Sequence, residues 1–138
     1  MSKTFSGGCQ CGGVRYQVEG EPVMVANCFC RDCRSASGGA GSTVAVFPAD
    51  GFALDRGSAI GYTSDAASGK SLTRNFCSTC GSRLFTDQIE SFPGMVMIAL
   101  GSLEDGHGLA PTMNIFGKDM PVWAAVNTAL PTSDAMPG

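Results

Sequence analysis

Seven cysteines, all between Cys9 and Cys80, constrain this chain more than any other feature. They fall in three clusters. Cys9 and Cys11 form C-x-C; Cys28, Cys30 and Cys33 form C-x-C-x-x-C; Cys77 and Cys80 form C-x-x-C with Gly81 directly behind. Disulfides would leave one thiol over, and a reduced compartment disfavours them, so such clusters point first to metal or redox chemistry. Zinc needs thiolates about 2.3 Å away in a tetrahedron, which thiols two or three residues apart in a tight turn can supply. Glycine after such a pair lets the backbone turn with φ > 0, so Phe76 to Gly81 reads as a zinc knuckle.

A structural zinc has four protein ligands and a catalytic one typically has three plus an open position. Seven divides as four plus three. Cys9, Cys11, Cys77 and Cys80 can close one site and staple the start of the chain to its middle. Cys28, Cys30 and Cys33 then form a second, open site, which predicts two Zn2+ per chain. A partition joining the triple to one further cysteine would strand thiols elsewhere, and counting leaves it open. So does a metal-free reading with buried or redox-active thiols. Seven thiolates and two zinc ions would take the formal charge from −3 to about −6. Arg31 and Arg34 beside the triple, and Arg74 ahead of the knuckle, are candidates to balance it.

At 138 residues the chain is expected to be one domain, 1–138, with an ordered core over about 5–130 and a frayed tail from Pro131. Nine Lys and Arg scattered through a chain of pI about 4.9 make no basic stripe, so no nucleic-acid partner is expected. No run approaches the ~20 apolar residues of a membrane helix. Met1 to Gly8 lacks the apolar run of a signal peptide, so the expected location is cytoplasmic.

The hydropathy period is mostly two. Strands are expected over Val14–Val18, Ser42–Phe47, Ile60–Thr63, Ser71–Phe76, Arg83–Thr86, Met95–Leu100 and Met113–Phe116, with Met95–Leu100 central. Asp32–Ser37 can form one helical turn. Val122 to Thr128, around Trp123, can form a short helix or a docking loop. The class is mainly β, small sheets pinned by zinc. Met95 and Met97 read as core filler. His107, in Glu104-Asp-Gly-His-Gly-Leu, reads as a surface loop residue, and no second histidine supports a nucleophile triad.

Three stretches together resemble one family. Gly7-Gly-Cys9-Gln-Cys11-Gly-Gly-Val-Arg15-Tyr16, Cys28-Phe-Cys30-Arg-Asp-Cys33-Arg34-Ser-Ala-Ser37-Gly38 and Arg74-Asn-Phe76-Cys77-Ser-Thr-Cys80-Gly81-Ser82 resemble the GFA family, the glutathione-dependent formaldehyde-activating enzymes grouped with centromere protein V. Gly101-Ser-Leu-Glu-Asp105 and Pro111 fit it too. The resemblance covers about residues 5 to 130. It implies a β-tent fold, small antiparallel sheets around a structural zinc at Cys9, Cys11, Cys77 and Cys80. It implies a zinc assigned to catalysis at Cys28, Cys30 and Cys33. It implies a carbon–sulfur lyase that joins glutathione and formaldehyde as S-hydroxymethylglutathione. Two positions depart from the family's pattern, Phe29 and Asn114, where the family commonly has His. Phe29 can neither shuttle a proton nor orient a substrate by hydrogen bonding.

By their proximity to the triple in sequence, Arg34, Ser37 and the Gly38 backbone are candidates to hold a carboxylate or oxyanion. The expected partners are a small thiol such as glutathione and a small aldehyde. Two other readings stand beside the enzyme: a zinc-stapled binding module whose triple is closed by a further ligand, and a thiol or metal redox sensor.

Overall fold

A computed structural model describes residues 3–124 and 129–137. Among the described residues, ten strands form two sheets. β1 (Thr4–Gly8), β2 (Arg15–Glu19) and β5 (Phe52–Arg56) make a three-stranded antiparallel sheet in the order β1-β2-β5. The second sheet holds β3 (Met24–Cys28), β4 (Ser42–Pro48), β6 (Ile60–Asp65), β7 (Ser71–Phe76), β8 (Arg83–Asp87), β9 (Met95–Ala99) and β10 (Met113–Ile115). Its order is β10-β3-β4-β9-β8-β7-β6, antiparallel except for the β10–β3 pair. The molecule is mainly β, as expected, and Met95–Ala99 is the middle strand of seven. Every strand anticipated from the sequence is present within two residues at each end.

The alternation that identified the strands also sorts their faces. On β9, Val96 and Ile98 enter the core; on β4, Ala45 and Phe47 do so; on β2, Tyr16 and Val18 meet them from the small sheet. Aromatic rings seal the junction. Phe5 and Phe47 have centroids 5.6 Å apart, and Phe52 lies 5.5 Å from Tyr16 and 4.5 Å from Phe85. These spacings suit tilted ring contacts. The Tyr16 hydroxyl, in a fully buried side chain, shares a 2.5 Å hydrogen bond with the Ser102 hydroxyl. Burial of the phenol, partly offset by Ser102, pushes its pKa up to about 12.

Helix α1 (Arg31–Ser37) is the anticipated turn, one residue longer. Cys30 caps it: its Sγ accepts the Cys33 N–H at 3.3 Å, as a serine or aspartate oxygen would. Gly38 ends it in the left-handed conformation, φ 74°.

Pro131 to Ala135 run beside β10. The Asn114 and Phe116 N–H groups donate to the Pro131 and Ala135 carbonyls at 2.8 and 2.9 Å, and the Ser133 N–H donates to Asn114 at 2.8 Å. The end of the chain thus covers the exposed edge of β10, and Thr132 pairs with Asn114 in parallel. Met97 is not core filler, because it stands on the face of the large sheet opposite the core. The expected helix or docking loop around Trp123 lies partly outside the described residues.

Candidate metal centre and cleft

Two hairpin tips meet at the first cysteine cluster. Cys9 and Cys11 lie in the β1–β2 connection. Here Cys9 and Val14 bond backbone to backbone at 3.1 Å, and Gly12 turns at φ 79°. Cys77 and Cys80 lie in the β7–β8 connection, closed by Cys77 N–H to Ser82 carbonyl at 3.0 Å. Gly81 there has φ 77°, and a Cβ on it would meet nothing within 4 Å, so its conformation alone requires glycine. The cluster therefore ties the small sheet to the large one.

The four Sγ atoms all lie within 4.8 Å of one another. Cys9 to Cys11 is 3.6 Å and Cys11 to Cys77 is 3.8 Å. A tetrahedron with 2.3 Å bonds has edges of about 3.8 Å, whereas a disulfide needs about 2.05 Å. The geometry fits a four-thiolate zinc and excludes disulfides at these distances. The surroundings are donors, as thiolates require. Val14 N–H donates to Cys9 Sγ at 3.2 Å and Thr79 N–H to Cys77 Sγ at 3.4 Å. The Ser82 hydroxyl lies 3.2 Å from Cys80 Sγ and accepts the Gln10 N–H at 3.0 Å, bridging the two tips. Ser82, chiefly, draws the Cys80 thiol down to about 5.

Cys28, at the end of β3, joins Cys30 and Cys33 of the α1 turn, their Sγ atoms again within 4.8 Å. Among the described residues no fourth His, Cys, Asp or Glu completes this cluster. The three thiols divide their protons unequally. Hydrogen bonds from Cys28 and Cys30, with Arg74 adding to them, pull Cys33 down to about 2; Cys28 is driven up by Cys30, Cys33 and burial. Three soft ligands with a fourth position free of protein donors suit zinc.

The triple opens onto a cleft of about 390 Å3. Strand register explains its floor. Ile115 stands beside Cys28, Cys28 opposite Ser42, Met97 opposite Thr86, and Thr86 opposite Arg74. Val44 and Leu72 continue the same face two residues along β4 and β7. All of these line the cleft, so one face of the large sheet builds it while the other builds the core.

Three arginines reach it: Arg31, Arg74 and Arg83. Arg83 Nη1 donates to the Ser42 hydroxyl at 3.0 Å, and that hydroxyl donates to the Cys33 carbonyl at 3.4 Å. Burial, then the nearby Arg74, lowers the Arg83 pKa from its ordinary value. Arg34, Ser37 and Gly38, the sequence candidates for anion binding, do not line this cleft. The cleft meets only the first turn of α1. Arg34 stands beyond it with Nε buried. The Ser37 hydroxyl donates to the Gly41 carbonyl at 2.7 Å and borders a separate cleft. Arg83 and Ser42 escaped the sequence reading; their signal was period-two alternation in strands far along the chain from the triple.

The remaining candidates fall where their chemistry predicts. His107 is a loop residue whose Nδ1 accepts the Leu109 N–H at 2.9 Å, away from both clusters. Phe29 is 2 % exposed and faces the interior. Asn114 is fully buried, its amide bonded to Asn27 at 3.0 Å and to Thr132 at 3.2 Å.

Comparison with known proteins agrees with the cysteine pattern. The family model described as glutathione-dependent formaldehyde-activating enzyme, GFA, matches residues 4–119. A solved crystal structure of a Rhodobacter sphaeroides protein is similar in fold, with a TM-score of 0.59 at 24 % identity over 77 % of this chain and 91 % of that one. No curated protein matches the chain.

Proposed function

The chain belongs to the glutathione-dependent formaldehyde-activating enzyme (GFA) family, and on that premise we propose that it is a zinc-dependent carbon–sulfur lyase forming or cleaving a thiol–aldehyde adduct such as S-hydroxymethylglutathione. The observation that carries this is the triple Cys28, Cys30 and Cys33, grouped without a fourth protein ligand at the end of a cleft large enough for a small molecule.

In the forward direction a thiol sulfur bonds to an aldehyde carbon and the thiol proton ends on the former carbonyl oxygen. Zinc held by the triple would supply Lewis acidity toward an oxygen and keep a thiol as the nucleophilic thiolate. The chain's own residues supply the rest. Arg74 and Arg83 place two guanidinium groups beside Cys33, where they offset thiolate charge and attract an anionic substrate. Ser42 fixes Arg83 in place. Val44 and Ile115 keep that end of the cleft dry, which strengthens these interactions.

The test is exchange NMR on the zinc-loaded protein with glutathione and formaldehyde. Exchange between free thiol and adduct is expected to exceed the uncatalysed rate and to return to it in Cys30→Ser. Exchange at the uncatalysed rate in the zinc-loaded wild type would overturn the proposal.

A further inference from the structure

The cleft is polarised along its length. Cys28, Ser42 and Arg83 mark one end. Four residues back along β3 is Met24, which pairs with Val46, and Val46 pairs with Met97. At about 3.3 Å per residue, the row of Met24, Val46 and Met97 lies about 13 Å along the strands from the row of Cys28 and Ser42. Leu72, Ile89 and Phe92 extend this apolar lining. Leu72 lies a strand position from the Asp65–Ser71 pair that closes the β6–β7 hairpin, and Asp65 itself borders the cleft. Arg31 and Arg83 thus lie toward the triple together with Asp32, Arg74 stands in the Met97 row and donates to the Ser64 hydroxyl at 3.3 Å, and the apolar surface with Asp65 lies farther along the face.

A formaldehyde adduct extends a thiol by one carbon. It would leave most of the apolar lining uncovered. We infer that the cleft selects adducts whose aldehyde-derived part is an apolar chain of several carbons, with the anionic part held beside the triple by Arg83. This rests on the thiol–aldehyde reading and narrows its substrate class.

Calorimetric titration of the zinc-loaded protein tests it with two probe series. The first is S-methyl-, S-propyl- and S-hexylglutathione, in which the S-alkyl group stands for the aldehyde-derived chain. The second is butanoate, hexanoate and octanoate, which carry no glutathione. Kd is expected to fall about 3-fold to 4-fold per added methylene in both. Leu72→Asn and Met97→Gln should each flatten that slope. Equal Kd across the S-alkyl series overturns the inference while leaving a glutathione site standing. A slope in the alkanoates with no S-alkylglutathione binding supports the chain-length inference and overturns glutathione as the thiol. Binding by neither series overturns the inference outright.

Discussion

Cys11 and Cys77 have Sγ atoms 3.8 Å apart although 66 residues separate them. One contact thus joins the tips of two hairpins from different sheets. Cross-linking a loop of that length contributes about 4 kcal/mol in the chain-entropy picture, and metal binding at such a site is itself folding free energy. Cys77→Ser should therefore cost at least about 4 kcal/mol, or about 15 °C in Tm for a chain of this size. Calorimetric melting of zinc-loaded wild type and variant measures it. An unchanged midpoint would refute the staple.

The second cluster spans only six residues, from Cys28 to Cys33, so its loop-closure contribution is small. Cys30 also caps α1, and serine is a good substitute in that role. Cys30→Ser should keep the fold, with Tm within about 5 °C of wild type, and should lower bound zinc from two to one per chain. Elemental analysis beside a melting curve checks both. Wild type holding a single zinc would defeat the four-plus-three division.

Arg83 and Arg34 separate two views of anion recognition. Arg34 adjoins the triple in sequence, but Arg83 adjoins it in space, through Ser42. Losing a charged contact to a substrate carboxylate costs about 1.5–3 kcal/mol. Arg83→Met should accordingly raise KM for an anionic thiol by at least about 10-fold, and Arg34→Met by less than about 3-fold. Steady-state kinetics on folded variants distinguishes them, and the reverse order would restore Arg34 as the anion contact.

What the sequence made legible follows from how local the information was. The cysteine spacings and the period-two runs are local, so both clusters and strands such as Ser71–Phe76 could be read directly. β1 was missed because Thr4–Gly8 ends in two glycines that make a poor strand signal. β3 was missed because Met24–Cys28 does not alternate; Val25 and Ala26 are both buried. β5 is an edge strand whose last four residues are exposed. The cleft was illegible for a different reason. Cys28, Met97 and Arg74 share a face only through the register of strands far apart in the chain, so proximity in sequence favoured Arg34 and Ser37 instead.

Tyr16 gives the molecule an alkaline limit. Its folded pKa of about 12 lies above the ordinary value of 10.0, so the buried phenol stabilises the fold fully below pH 10. That contribution is lost as pH rises from 10 to 12, because the unfolded chain ionises first. Tyr16→Phe should be about 1 kcal/mol less stable at pH 7, through the lost bond to Ser102. The gap should close and then reverse above pH 10. Denaturant melts of both proteins from pH 7 to 11.5 follow it. A gap independent of pH would show that the phenol is not titrating with folding.

Asn114 tests whether a family histidine can be restored where this chain lacks it. Its side chain is fully buried and links three elements: Asn27 Nδ2 donates to its Oδ1 at 3.0 Å, Thr43 donates to Asn27 Oδ1 at 2.6 Å, and Asn114 Nδ2 donates to Thr132 at 3.2 Å. An imidazole here must fit a larger ring into a filled space and cannot offer the same acceptor and donor together in the same geometry. Asn114→His is expected to cost about 2–4 kcal/mol, the sum of overpacking and an unsatisfied Asn27 amide. Asn114→Asp keeps the acceptor for Asn27 but loses the donor to Thr132 and adds a buried charge, so it should destabilise more at pH 7 than at pH 4. Denaturant melts at the two pH values measure this, and an Asn114→His protein as stable as wild type would show that the Asn27–Asn114–Thr132 chain does not hold β10 and the chain end in place.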